Sequence, residues 1–591
     1  MSLLGIALVS AVLLAIAYRF YGSLLARLFR LNPEAKTPSV QMRDDIDYIP
    51  TTPRYLLGQH FSAIAAAGPI VGPILAGLMF GWLPALLWIL IGSVFIGGLH
   101  DFGALVASIR HKARSIAEVI NENMARRSYI LFLCFVWLTL VYVVVAFTDI
   151  VASSFVGTQT LENGVKVLGG GIATSSMLYL SLPIVMALLM RYAKLSLTWA
   201  TIIFLPLVGL AIWVGQYMPL DLARFFNIPE HQAVKVWDAL LLAYCFVASI
   251  VPMWLLLQPR GHLGGYFLLI ALAGGLLGIA LGGQTVQYPA FTGWTAKGEP
   301  LFPMLFITIA CGACSGFHAL VASGTTSKQL RNESDAKPIA YGSMLLEGLV
   351  AVISLCCVMM LSKETVASQG AKLQPNLIYG MGMSSFLNVL GIPVAFGISF
   401  GLLAFTTFVY DTLDVSTRLG RYIFQELTGW QGRRGCWFAT AVTVGAPLLL
   451  VLQKVTDASG KPIPAWKLFW SLFGASNQLL AALTLIGITV WLAKAYKARW
   501  IWLVTIPPTV WMYAMSTWAL ARLIKNGFYT PEGRFKGYLP DMATCIAIVI
   551  LMLAMLLLIE LVKTLCAMKG ARKAAEPAAI ASSIIESQIG E

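Results

Sequence analysis

Charge is scarce in this chain: of 591 residues only 12% are Asp, Glu, Lys or Arg, against 58% hydrophobic. That ratio excludes a soluble globular protein, which needs far more polar surface to face water. Histidine is rarer still, with six in all. His60, His100 and His318 are the ones in or beside apolar runs, and none shows the His-x-x-x-His spacing that puts two imidazoles on one helix face. An intramembrane metal or redox enzyme is therefore poorly supported. No GxxxxGK[ST] loop occurs, so ATP-driven pumping within the chain is not expected. The nine cysteines lie almost entirely in apolar runs, which implies no disulfide framework. "CGAC" (311–314) lacks the second pair of a metal motif, so no metal or cofactor is expected beyond a coupling ion. A nutrient sensor would need an output domain, and none is visible.

Long apolar runs are what the sequence has instead. About fifteen of them reach the 18 to 25 residues that span a bilayer core as a helix. They include runs near 3–19, 57–81, 83–109, 302–326, 338–361, 387–417, 466–493, 500–521 and 542–562. The class is an all-α polytopic membrane protein. With the N-terminus outside, alternating spans place most of the 41 Lys and Arg on inside loops, as in "RHKARS" (110–115) and "KAYKAR" (494–499). The loop with Arg522, Lys525, Arg534 and Lys536 is the exception, since the same parity puts it outside. The net charge of +14 thus reflects membrane topology and a lipid bilayer partner, not nucleic acid. The C-terminus is expected in the cytoplasm. Oligomeric state is not readable.

"AAAGPIVGPILAG" (65–77) places Gly68-Pro69 and Gly72-Pro73 in the middle of a span. Each proline removes a backbone donor and crowds the preceding turn, so the helix is expected to break there. Freed amides at such a break favour an anion, which makes Gly68, Pro69, Gly72 and Pro73 candidate substrate contacts. Thr407, Asp411, Asp414 and Arg418 form one polar stripe at i, i+4, i+7 and i+11. Asp414 is expected to pair with Arg418, leaving Asp411, Thr406 and Thr407 as candidate ion-coupling groups. Glu347, in "MLLEGLV", has no local partner and is the first candidate for a protonatable carrier; Asp101 is a second. Ser315 and His318 lie in a hydroxyl-rich, Gly-containing span and are candidate substrate contacts. Ser476, Asn477 and Gln478 read as interhelical hydrogen-bond glue.

Internal repeats are ambiguous: "ALVAS" recurs at 104–108 and 319–323, "AFT" at 146–148 and 404–406, with different offsets. The aromatic loop 282–300, with Tyr288, Phe291 and Trp294, reads as interfacial anchoring.

Four blocks carry a resemblance: "DYIPTTPRYLLGQHFSAIAAAGPIVGPILAG" (47–77), "LFPMLFITIACGACSGFHALVASGTTSKQL" (301–330), "LDVSTRLGRYIFQEL" (413–427) and "LFGASNQLLAALTL" (472–485). They resemble the carbon starvation protein A family over residues 44 to 562. The resemblance implies a bacterial inner-membrane importer of peptides, or of pyruvate in related members, linked to nutrient scavenging. It also implies the amino acid-polyamine-organocation (LeuT-like) fold of two inverted five-helix repeats with broken first helices. The Gly68 to Pro73 break would open one repeat and the Cys311 to His318 segment the other, with Thr406 and Thr407 where some relatives of the fold bind sodium. The expected division is 1–56 as an N-terminal helix and cytoplasmic segment, 57–383 and 384–563 as two transmembrane regions, and 564–591 as a cytoplasmic tail. The function expected is secondary active uptake of a small carboxylate-bearing nutrient coupled to protons or sodium.

Overall fold

The computed structural model describes residues 2–45, 47–65, 67–160, 166–296, 298–369, 373–453, 463–496, 498–530, 533–536 and 541–589. Apolar runs become helices because only a helix satisfies every backbone group within its own segment. Among the described residues twelve helices are long and apolar enough to cross a membrane, or thirteen with one bent pair counted as a span. The main helices are α1 (Leu3–Leu28), the bent pair α2 (Pro53–Ile64) and α3 (Gly68–Phe80), α4 (Trp82–Arg110), α5 (Arg126–Ser154), α6 (Gly169–Tyr192), α7 (Leu197–Tyr217), α8 (Glu230–Ile250) and α9 (Leu257–Gly282). The chain continues through α10 (Leu301–Thr308), α11 (Gly316–Val321), α12 (Glu333–Met359), α13 (Pro375–Val389), α14 (Val394–Thr428), α15 (Gly432–Val451), α16 (Ala465–Tyr496), α17 (Trp500–Phe528) and α18 (Met542–Ile589).

Two of the expected fifteen runs differ in kind from these spans. The run 302–326 is α10 and α11 around an unwound centre. The run 500–521 is α17, about 44 Å long at 1.5 Å per residue but diluted by Pro507 and Pro508. The expected run 387–417 merges two elements. Its first residues end α13, which packs along α9 and α14 and starts beside Ser154, the last residue of α5, whose hydroxyl accepts from Asn376 Nδ2 at 2.9 Å. Gly391, at φ 82°, turns the chain from α13 back into α14.

The bundle has a Leu3 end and a Leu28 end. At the Leu3 end the loop 284–300 is tied down: Leu3 N donates to Gln284 O at 3.1 Å and Gln287 N to Met359 O at 2.7 Å. Tyr288 donates to Leu78 O at 2.8 Å, fastening this loop to the end of α3. Arg522 pairs with Glu299 at 3.1 Å, so the loop after α17 shares this end, as the parity count requires. At the Leu28 end Arg110 pairs with Glu333 at 2.7 Å, and Tyr496 donates to Phe29 O at 3.2 Å.

The helices nearest the centre are the most enclosed. α12, α14 and α16 bury about four-fifths of their apolar windows, whereas α7 and α18 bury about 28% and present the rest outward. An apolar outer face is what a lipid solvent requires.

Candidate site at two crossed helix breaks

The first break begins at Ala65, just before the Gly-Pro pairs. Ala65 leaves helical geometry with ψ 67°, and α3 then starts at a 43° angle to α2. Pro69 occupies the first turn of α3, where its missing N–H costs nothing, and Pro73 lies inside the helix. The expected interruption at Gly68 to Pro73 is thus moved upstream by about one turn, because a proline at a helix start favours the helix that follows it.

The second break unwinds Ile309 to Ser315, with Ile309 at ψ 72° and Ser315 extended at φ −130°, ψ 124°. The two breaks cross in contact. A side chain at Gly68 would collide with Cys311, one at Gly72 with the backbone of Thr308, and one at Gly312 with Ala351 and, at longer range, Pro69. Gly68 and Gly72 therefore form the seam between the breaks. The backbone groups freed at the second break are taken by side chains of α4 and α16. Trp88 Nε1 donates to Ile309 O at 3.1 Å, Gln478 Nε2 donates to Phe306 O, and Asn477 Oδ1 accepts from Phe317 N at 2.9 Å. The Phe317 amide near the start of α11 is thus occupied by Asn477, which also bonds Ser315. Unpaired buried amides cost about 1–3 kcal/mol each, which explains polar Asn477 and Gln478 in an apolar helix.

Beside this break lies the first buried charged cluster. His318, on α11, approaches Asp101 Oδ2 with Nδ1 at 2.8 Å and Glu347 Oε2 with Nε2 at 3.2 Å. The second approach is close but lacks hydrogen-bond alignment, so Nε2 and the Glu347 oxygens remain unpaired. His100 Nδ1 bonds the other oxygen of Asp101 at 2.8 Å. All four side chains are fully buried. The cations nearest in sequence serve elsewhere: Arg110 holds Glu333, and Lys337 donates to Ser23 at 2.8 Å. Cys311 Sγ lies within 4.8 Å of ligand atoms of His318 and Glu347.

A second cluster adjoins the first break. Arg260 Nε donates to Asp411 Oδ1 at 2.6 Å and its Nη1 pairs with Asp414. Nη2 donates to Tyr410 O at 3.0 Å, and Tyr244 donates to Asp414 Oδ2 at 2.8 Å. Ser62, three residues before Ala65, donates to the other oxygen of Asp411. The expected Asp414–Arg418 pair does not form. Arg418 instead donates to Ala248 O at 2.8 Å and to Val251 O, at the C-terminus of α8, where a cation meets the helix dipole. Thr406 bonds Ser176 at 3.2 Å, Thr407 Oγ1 is buried without a partner, and Thr412 bonds Ala63 O at 3.2 Å.

The chain matches the family described as carbon starvation protein CstA over residues 2–374 and 364–519. It belongs to that CstA family. Among curated relatives it is 32% identical to the pyruvate/proton symporter BtsT of Escherichia coli K12, covering 90% of this chain and 83% of that one. It is 33% identical to the peptide transporter CstA of Helicobacter pylori J99, covering 83% and 78%. It is 30% identical to the peptide transporter CstA of Bacillus subtilis 168, covering 95% and 97%. Among solved structures, a manganese transporter of Eremococcus coleocola aligns with TM-score 0.45 and 13% identity over 88% of this chain and 99% of that one. MhsT in complex with L-phenylalanine aligns with TM-score 0.47 and 13% identity over 80% and 98%. This CstA-family chain is a membrane transporter and not an enzyme.

Arg260 is the residue that sequence reading missed. In "LLLQPRGHLGG" (255–265) it reads as one more positive charge in an inside loop between runs 235–257 and 264–283. In the structure α9 starts at Leu257, and Gly265 lets it pack directly on the backbone of Gly58 in α2. That contact carries Arg260 into the bundle, fully buried.

Proposed function

We propose that this transporter imports a small carboxylate-bearing nutrient, pyruvate or a short peptide, across the bacterial inner membrane by symport with protons. The N-terminus lies outside and the C-terminus in the cytoplasm, following the Lys and Arg bias. α2–α3 and α10–α11 are the broken first helices of two inverted repeats, and 57–383 and 384–563 are the two transmembrane regions. Small polar cavities flank the centre. One of about 170 Å³ lies toward the Leu3 end between Ser154, Asn376 and Trp466, and one of about 390 Å³ at the Leu28 end between Arg114, Lys328 and Glu426. Opening one at a time gives alternating access.

The observation that carries the reading is the placement of His318 between two carboxylates. A neutral imidazole donates from one nitrogen only. Matching both contacts requires one further proton, carried either on the ring or on a carboxyl. Removing it leaves two buried anions facing a neutral ring, which the low dielectric penalises. The cluster therefore gives up its proton when an opening admits water, and takes one up from the outer side. Glu347 and Asp101 hold the coupling proton and His318 bridges them. Sodium would seek a shell of oxygens, and a cluster centred on imidazole offers few. The relative named a pyruvate/proton symporter supports the same choice.

Uptake of labelled pyruvate and of a dipeptide into proteoliposomes tests this. Accumulation of either solute under an inward proton gradient, and not under a sodium gradient of equal size, is expected. Accumulation driven by sodium alone, or none under either gradient from folded protein, overturns it.

A further inference from the structure

We propose that Arg260 is the residue that holds the substrate carboxylate, with Asp411 occupying that position when substrate is absent. The inference rests on the carboxylate-symport reading above and names the group that binds the anion.

Among the described residues the buried cations are Arg260, Arg418 and Arg421. Arg418 serves helix-end carbonyls, and Arg421 Nη1 lies 2.9 Å from Cys436. Only Arg260 adjoins a helix break. Its charge is over-compensated: two aspartates face one guanidinium, so the group carries one net negative charge. The two carboxylates are not equivalent. Asp414 is held by Arg260 and by Tyr244, away from the break. Asp411 is held by Arg260 and by Ser62 and lines a cavity with Gln59, His60, Thr325 and Thr326, between residues of both broken spans. That cavity, about 10 Å³, is near the smallest that admits a water, so a substrate reaches Arg260 only as Asp411 moves off. His60 faces the same cavity with Nε2 unpartnered.

The exchange balances with one proton. The coupling proton passes from the Glu347–His318–Asp101 cluster to the Asp411 carboxylate, and the neutral acid keeps its contact with Ser62. The Arg260 Nε–H bond to Asp411 is released and re-formed to the incoming monocarboxylate. One positive and one negative charge enter together, so the buried group holds one net negative charge both empty and loaded. No other stoichiometry for a monocarboxylate leaves that charge unchanged. The ionisable groups facing Asp411 are Arg260 on α9, Tyr179 on α6, His60 on α2 and Asp414 on its own helix, with Tyr244 of α8 at the far side of Arg260.

The test is pyruvate and dialanine binding by the purified full-length protein across pH, with Asp411→Asn and Arg260→Gln, and proteoliposome uptake by the wild type as the reference. Wild-type affinity for pyruvate falls about tenfold per pH unit on the alkaline side, the slope of one linked proton. Asp411→Asn, a fixed neutral group, binds at least about tenfold more tightly at alkaline pH than the wild type and loses the slope. Asp411→Asn with wild-type affinity and slope overturns the proposal. So does Arg260→Gln that still binds pyruvate; if that variant does not fold, Asp411→Asn alone decides. Failure of the wild type to accumulate either solute removes the carboxylate-symport reading itself, whereas accumulation with an unaltered Asp411→Asn removes only the role of Arg260.

Discussion

The two buried charged clusters differ in one component, and the difference separates their chemistry. Around Arg260 a permanent cation sits between two aspartates, so the count of anions sets the charge. Around His318 two carboxylates flank an imidazole, so the count of protons sets it. The first arrangement suits the holding of an anion and the second the holding of a proton. Each belongs to a different helix break: Ser62 of α2 touches the Arg260 cluster, and His318 on α11 is the core of the other.

The comparison breaks most sharply at Glu347. Glu347→Gln keeps the shape of the side chain but removes the acid. It is expected to abolish proton-driven accumulation while leaving pyruvate-for-pyruvate exchange, measured as counterflow in proteoliposomes. Loss of both activities in folded protein would place Glu347 in substrate binding instead.

Asp411→Ala leaves Arg260 compensated by Asp414 alone, with its Nε–H and the Ser62 hydroxyl deprived of their acceptor. Each buried donor left unsatisfied costs about 1–3 kcal/mol, seen as lower thermal stability in detergent. Asp101→Asn, in a cluster with no permanent cation, is expected to cost much less. Equal losses would mean that both clusters are structural.

Asn477→Ala probes the frame that holds the His318 cluster. It exposes the Phe317 amide and the Ser315 hydroxyl to a dry interior, a loss of about 1–3 kcal/mol with weakened but still proton-dependent uptake. The smallest effect is expected from Cys311→Ser. If the cluster holds a proton, serine leaves coupling intact; if Cys311, His318 and Glu347 bind a divalent cation, serine lowers its affinity and a chelator abolishes uptake.

The buried acids were legible because a carboxylate in an apolar run must find a partner, but the partners were not. Asp101 and His318 are 217 residues apart, and no local period joins them. Asp414 and Arg418 stand at helical spacing and still part, since Arg260 on α9 offers Asp414 a tertiary partner while Arg418 finds the open carbonyls of α8. Arg260 itself was hidden by "QPRGH", where Pro and Gly read as a loop although the helix begins at Leu257. The break in 57–81 was legible from its Gly-Pro pairs, but its place was not, because Pro69 starts α3 instead of ending α2. Helix α13 was merged into its neighbour, since the turn between them is marked only by Gly391 and Pro393 within an otherwise apolar run.

The most direct measurement follows lumenal pH and labelled pyruvate together in proteoliposomes with no gradient imposed, for the wild type and Glu347→Gln. Pyruvate entry that acidifies the lumen in the wild type, and none in Glu347→Gln, is the expected result. Pyruvate entry without acidification, or acidification that survives in Glu347→Gln, would contradict a coupling proton held between Glu347, His318 and Asp101.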